Sequence, residues 1–512
     1  MKNVFIALSL LCFLETTAQI GTSQANNSRI RAGNDGTFFY YQLFTPQGYT
    51  VPISENKGTI HSASIWLSAK DASNTKHLSA VYLTDFGSDF TPGPISNEQS
   101  STTEFFKGNI YVTDVIDIND HIRNPSSQIS SIYNWPANGS QSRGEPNIIA
   151  PFVDLNNDNI YQPEDGEYPI IYGDMCIYSI YNDEANQGFS KGSSMGLDIH
   201  QYTYQLSNDF AGDTLENTNF IRFVIVNRSD KDYSDFRFGT YVNMGIGNPI
   251  DDYVGTDSNT NMAYAYNGDD IDEGFNGYSF NPPMQGAMFL NTTLASSTAI
   301  MQNNNPEDGL PSNAIEYLNY LEGKFRDGTN KTRTGQNLSF TSLYDYFGNL
   351  NYEDNYSEGQ LGKTPGDRNV LLVAKPAYLG KGDTLIYDMA FPYARVNFGG
   401  NTGAYDSLIT LAMHINKRYN SSYSWIEKAE DNKRGLSVNQ KVRQSFSIYP
   451  NPSTGLFTIK GLNTDKSSVV TNLTGQTLKI IDANTQTIDL SEFETGIYFL
   501  QTEVGSVRLI KL

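Results

Sequence analysis

Short runs with a period of two recur along this chain, while stretches with a helical period are few. His200-Gln201-Tyr202-Thr203-Tyr204-Gln205-Leu206 alternates cleanly, as a strand does. Phe220 to Asn227 is apolar on nearly both faces, the pattern of a strand covered on both sides. Phe236 to Met244 and Thr384 to Pro392 read similarly. The connections at 251–283, 302–313 and 349–369 are rich in Asn, Asp and Gly and read as loops, because they interleave with strands. The chain's 33 Tyr and 28 Phe suit pleated surfaces, and its 43 Gly and 20 Pro supply turns. The expected class is all-β: one or two β-sandwiches carrying long loops, with short helices over Asn313 to Leu321 and Ser407 to Tyr419.

Charge removes whole classes of partner. Against 35 Lys+Arg stand 56 Asp+Glu, a formal net charge of −21 over 512 residues. Binding nucleic acid through its phosphates, or an anionic membrane surface, requires a cationic face that this composition does not supply. The chain opens Met1-Lys2-Asn3, continues with an apolar run from Val4 to Leu14, and reaches Thr16 and Ala18 as a small-x-small exit. That is the layout of a secretory signal peptide over 1–18, and the run is too short to span a bilayer. Cys12 leaves with the signal peptide, so Cys176 remains alone and no intrachain disulfide forms. In its β-rich surroundings Cys176 reads as a small buried side chain. The expected organisation is an N-terminal extension over 19–32, a β-rich body over 33–425 with a boundary near 140–150, a charged linker over 426–444 and a C-terminal β-domain over 445–512.

That last segment carries the most specific pattern. It contains Tyr449-Pro450-Asn451-Pro452-Ser453-Thr454-Gly455, then Leu490-Ser491-Glu492-Phe493-Glu494-Thr495-Gly496-Ile497-Tyr498-Phe499, and ends Val507-Arg508-Leu509-Ile510-Lys511-Leu512. Turn residues separate short alternating strands, as in a small Ig-like β-sandwich. The pattern resembles the type A C-terminal sorting domain of the Bacteroidota type IX secretion system. The resemblance implies a periplasmic stage, contact with the secretion machinery through 445–512 and export across the outer membrane. Removal of the domain, or its attachment to surface lipopolysaccharide, follows. The body, through Trp66, Asp89-Phe90-Thr91-Pro92-Gly93-Pro94, Gly166-Glu167-Tyr168-Pro169 and Asp251-Asp252-Tyr253, resembles a family of large secreted proteins ending in such domains. That family tends to place Asp-x-Asp-x-Gly where this chain has Val242-Asn243-Met244-Gly245, so a metal site there would lose negative charge.

The strongest candidate for chemistry is Asp154-Leu155-Asn156-Asn157-Asp158-Asn159-Ile160-Tyr161-Gln162-Pro163-Glu164-Asp165. Asp154, Asn156 and Asp158 put oxygens at positions 1, 3 and 5, Ile160 offers its carbonyl at 7, and Asp165 stands at 12. Ca²⁺ takes six to eight hard oxygens, and this spacing is that of an EF-hand-like loop. Two readings stand: a structural calcium clip and a plain Asx-turn loop. Asp251, Asp252 and Asp257, then Asp269, Asp270 and Asp272, form further acidic clusters, read as solvated loop charge or a second cation site. Gly192-Ser193-Ser194-Met195-Gly196 has the letters of a nucleophile elbow, but a polar loop precedes it and a strand follows, so Ser194 is not expected to be catalytic. The five histidines are scattered, and no catalytic or cofactor-binding residue is assigned.

The expected function is a secreted or surface-attached β-sandwich protein with structural calcium, non-enzymatic, with a structural, adhesive or glycan-binding role. The alternative is a secreted hydrolase of polysaccharide or protein. A glycosidase would need a cleft with two carboxylates roughly 5–9.5 Å apart.

Overall fold

The computed structural model describes residues 21–40, 48–82, 86–184, 187–207, 215–335, 338–352 and 356–421 of the body. In the C-terminal region it describes 447–451, 453–460, 467–472, 477–483, 485–502 and 505–512. The expected signal peptide and the 426–444 linker lie outside the described residues. The chain divides into two compact units, 1–430 and 431–512.

The principal strands of the first unit are Gly58–Lys70 (β1), Met175–Asn182 (β2), Leu197–Gln205 (β3), Asn219–Asn227 (β4), Tyr233–Met244 (β5) and Asp252–Asp257 (β6). Met262–Asn267 (β7), Met284–Phe289 (β8), Leu294–Met301 (β9), Arg368–Ala374 (β10) and Thr384–Phe391 (β11) complete the set. They belong to two 10-stranded sheets: the first contains the order β1-β5-β10-β9, the second β6-β7-β8-β11-β4-β3-β2. These neighbours pair antiparallel. Four helices matter below: Gln99–Lys107 (α1), Val115–Arg123 (α2), Ala314–Leu321 (α3) and Tyr405–Tyr419 (α4).

The near-continuous apolar run of β4 is explained by its position. Ile221, Phe223 and Ile225 enter the core between the sheets with Leu67, Phe238 and Leu372 of the first sheet. Phe220 faces the other way and joins Tyr178, Tyr204, Leu408, Ala412 and Ile415 in a second core beneath α4. Arg222 shares that outer face, directly opposite Asp388. Its Nε and Nη2 donate to the two oxygens of Asp388 at 2.7 and 2.8 Å, and Tyr419 Oη donates to the same carboxylate at 2.6 Å. The bidentate geometry and the hydroxyl of α4 satisfy a charge that the helix covers. A third core lies on the outer face of the first sheet, where Trp66 and Tyr241 meet Tyr317, Tyr320 and Leu321 of α3.

The all-β class is the one observed. The connection 251–283, read from its Asn, Asp and Gly content as a loop, contains β6 and β7. Met262-Ala263-Tyr264-Ala265-Tyr266 is wholly buried, and the polar residues that hid this strand stand at its ends. Helix α1 buries only Thr102 and Phe106 along a polar sequence, so its period was too faint to register. Helix α2 had a legible start, since Asp114 caps it by accepting from Asp117 N at 2.8 Å.

The second unit pairs Ser447–Tyr449, Leu456–Lys460 and Thr487–Asp489 in one sheet. Thr477–Ile481, Ser468–Asn472, Gly496–Thr502 and Gly505–Lys511 make the other. Phe457, Ile459, Val470, Ile488, Leu490, Leu500 and Leu509 form its core. Its proline-rich turn and its tail are bonded together: Asn451 Oδ1 accepts from Ile510 N at 2.9 Å, and Ser453 N donates to Ile510 O at 2.9 Å. Leu512 N donates to Ser453 O at 2.8 Å. Gly455 has φ 144°, and a Cβ there would lie 2.9 Å from Ser491 Cα, so the turn requires glycine.

Candidate functional site

The 154–167 loop closes a short hairpin in which Val153 opposes Tyr168 and Phe152 opposes Pro169. Asp154 accepts from Asn157 N at 2.7 Å and Asn159 N at 2.9 Å, and Asp158 accepts from Ile160 N at 2.8 Å. Asn156 accepts from Asp158 N at 2.9 Å and donates Nδ2 to Asp158 Oδ2 at 3.0 Å. Partial desolvation works against the charge of Asp154, but the amides of Asn159 and Asn157 outweigh it and hold the carboxyl below its ordinary range. Asp154, Asn156, Asp158 and Ile160 therefore sit on successive tight turns, with Asn157 and Asn159 at φ 63° and 60°. Asp165 is exposed on the short turn Pro163–Asp165. Glu167, which the spacing rule did not select, is fully buried and ties both ends of the loop, accepting from Leu155 N at 3.0 Å and Gln162 N at 2.8 Å. Among the described residues no three His, Cys, Asp or Glu side chains converge as a metal-holding group.

The second acidic region is not simply solvated. Asp252 and Asp272 are buried. Asp252 Oδ2 accepts from Ile246 N at 2.7 Å, and Asp272 accepts from Asn248 N at 3.1 Å and Tyr278 N at 2.7 Å. Burial pushes the Asp272 carboxyl up to about 6 against the pull of those amides. Burial pushes Asp252 well above its ordinary value, and the charges of Asp272 and Asp251 add to it. Gly247, at φ 55°, lets the backbone run against the Asp272 carboxylate, where a Cβ would collide.

A cleft of about 380 Å³ opens between the end of β6, the 342–349 segment and the start of α4. Tyr344, Phe347 and Tyr405 line it with Asp257, Asn259, Asn349 and Asp406. Asp257 accepts from Asn259 N at 2.8 Å, and Asp406 accepts from Asn351 Nδ2 at 2.8 Å. Tyr405 packs on Tyr264 with ring centroids 5.6 Å apart, and Phe347 stacks on Tyr356 at 5.2 Å. Burial, with the nearby Asp257 charge, pushes the Tyr405 hydroxyl up to about 12, so it serves as a neutral hydrogen-bonding group. No Lys, Arg or His lines the cleft among the described residues. Sequence patterning marked Asp257 but not Phe347, Asn349, Tyr405 and Asp406, which lie some 90 to 150 residues further along the chain.

Other candidates resolve into structure. His77 Nδ1 faces the backbone carbonyl of Ser194 at 2.7 Å, and the Ser194 hydroxyl donates to Glu184 at 3.4 Å. The imidazole of His77 is therefore not on the Ser194 hydroxyl, as a Ser-His pair requires. Cys176 is completely buried, and burial pushes its thiol up to about 12, which makes it inert.

Residues 447–511 match the family described as the secretion system C-terminal sorting domain. The second unit is a type IX sorting domain. It directs export through that secretion machinery, to release or to attachment at the cell surface. Among the described residues no helix is long and apolar enough to cross a membrane. Comparison with curated proteins finds no match. Among solved structures the chain is similar to a polysaccharide lyase at 8% identity and a TM-score of 0.21, covering 65% of this chain. The chain spans about a third of that protein's length, 35%. A likeness of that depth says nothing about activity.

Proposed function

We propose that the body of this exported protein binds neutral glycans through the cleft at Tyr344, Phe347 and Tyr405, without turning them over. The observation that supports it is the mixture of groups in one concavity: aromatic faces for the C–H side of a sugar ring, amides and carboxylates for its hydroxyls. With Asp257 and Asp406 as its charged groups, the cleft repels uronates and phosphates. Calcium is part of the proposal as a structural clip at 154–165. Asp154, Asn156, Asp158, the Ile160 carbonyl and Asp165 would supply the hard oxygens, with Glu167 shaping the loop from beneath.

The test is an array of neutral and acidic glycans probed with the purified protein and with Phe347→Ala and Asp406→Asn. Neutral glycans should be retained, with affinity falling about tenfold in each variant, equivalent to about 1.4 kcal/mol. Retention of acidic glycans alone would overturn the proposal. The two carboxylates in the cleft keep one rival alive, a polysaccharide hydrolase. Release of reducing ends by the wild type, abolished by Asp257→Asn or Asp406→Asn, would establish that rival.

A further inference from the structure

Three times in the body a carboxylate beside an aromatic ring is answered by a guanidinium of the chain itself. Arg222 pairs with Asp388 at 2.7 Å, and its guanidinium lies 4.5 Å from the ring centre of Tyr172. Arg143 pairs with Glu145 at 2.5 Å and lies 4.5 Å from the ring centre of Phe105. Arg395 pairs with Glu55 at 2.9 Å and lies 5.3 Å from that of Tyr278. Each cation takes an anion and the electron-rich face of a ring together.

The cleft at Tyr344, Phe347 and Tyr405 repeats two of these three parts. Asp257 and Asp406 supply the carboxylates and the three rings supply the faces. Among the described residues no Lys, Arg or His lines the cleft or stands within ion-pair distance of either carboxylate. Both fields reach the same wall: after burial, the charges of Asp257 and Asp406 are what raise the Tyr405 hydroxyl. Asp406 is exposed and Asp257 half-buried, so the place of the cation is open to a ligand.

We infer that the cleft prefers glycans carrying a protonated amine, an unacetylated amino sugar, over the neutral sugars it also takes. The inference rests on the glycan reading of this cleft and names the sugar class it selects. The ammonium would pair with Asp257 and Asp406 against the aromatic wall, and the sugar hydroxyls would meet Ser258, Asn259 and Asn349. Those hydroxyl and amide groups favour a sugar over a lysine side chain, which carries no hydroxyls to offer them. N-acetylation removes the charge and should cancel the preference.

The experiment is calorimetric titration of the exported protein with cellotriose, with tri-N-acetylchitotriose, with its deacetylated form chitotriose, and with trilysine. Chitotriose should bind at least tenfold tighter than either neutral trisaccharide. Asp257→Asn and Asp406→Asn should each shrink that ratio severalfold, and the double variant should bring it near one. Asp230→Asn, at an exposed position outside the cleft, removes the same charge and should leave the ratio unchanged. Asp406 is exposed, so its variant is expected to melt with the wild type and keeps the test open if Asp257→Asn misfolds. A ratio untouched by the cleft variants, or lowered as much by Asp230→Asn, reports general attraction of a polycation to an acidic protein and overturns the inference. A ratio near one, with neutral trisaccharides bound and weakened by Phe347→Ala, overturns the amine preference and leaves the glycan reading standing. Trilysine held at the cleft as tightly as chitotriose overturns the amino sugar as the preferred ligand. Binding by none of the four overturns the glycan reading with it.

Discussion

The loop at 154–167 and the acidic segments around Asp252 and Asp272 are both rich in Asp and Asn and have opposite electrostatics. In the first, Asp154 receives two backbone amides near the surface, and its carboxyl falls below the ordinary range. In the second, Asp272 also receives two amides, yet burial dominates and its carboxyl rises to about 6. Burial opposes the charge at both sites; at Asp154 the amides of Asn159, Asn157 and Asp158 with Glu167 outweigh it, and at Asp272 two amides do not. The surface loop keeps its charge, while the buried carboxylates of Asp252 and Asp272 serve as acceptors that organise backbone.

The largest expected effect is on folding. Asp272→Ala removes the acceptor of two amides at a buried position and should lower stability by about 2–4 kcal/mol, read from the denaturant midpoint. Asp154→Ala should cost visibly less, because water replaces its amide bonds. Equal losses at the two sites would break the comparison.

Next comes pH. For Asp272 the folded value of about 6 lies above the unfolded value near 4, so the native state binds the extra proton between them. Its contribution is fully present below about pH 4 and is lost as pH rises through about 6. Asp154 is depressed, so its contribution is present above about pH 4 and is lost as pH falls through its lower folded value. Asp272→Asn should flatten the stability profile between about pH 4 and 6, and Asp154→Asn should flatten it only at more acid pH. Urea titrations across pH 3–7 measure both slopes.

The smallest effect concerns calcium. Extracellular sites bind with Kd about 10⁻⁴–10⁻³ M, so millimolar calcium should add about 0.4–1.4 kcal/mol, a few degrees of melting temperature at most. Asp154→Ala with Asp158→Ala should abolish the increment, whereas Asp252 and Asp272 variants should retain it. A melt in chelator and in CaCl₂ separates the cases. Comparing Asp165→Ala with Glu167→Gln then shows which carboxylate closes the loop.

Much of the fold was legible because strand chemistry is local. The alternation of His200 to Leu206 and the two-faced run of Phe220 to Asn227 each lie within one element, and both are strands. Helix α3 was visible through Asn313, whose side chain accepts from Ile315 N at 3.1 Å and Glu316 N at 3.2 Å. The cleft was not legible. Asn259, Phe347 and Asp406 meet only because β6, the 342–349 segment and α4 converge in space, and no spacing rule spans such separations. Glu167 was missed for a related reason. The loop pattern counts twelve positions, and the residue that ties the loop stands two beyond the last of them.

In the sorting domain, the turn at Asn451–Ser453 takes its hydrogen-bond partners from Ile510 and Leu512. The turn after the first strand and the end of the last strand are therefore bonded to each other as one latch. An export receptor that reads this surface reads a finished object rather than a short peptide.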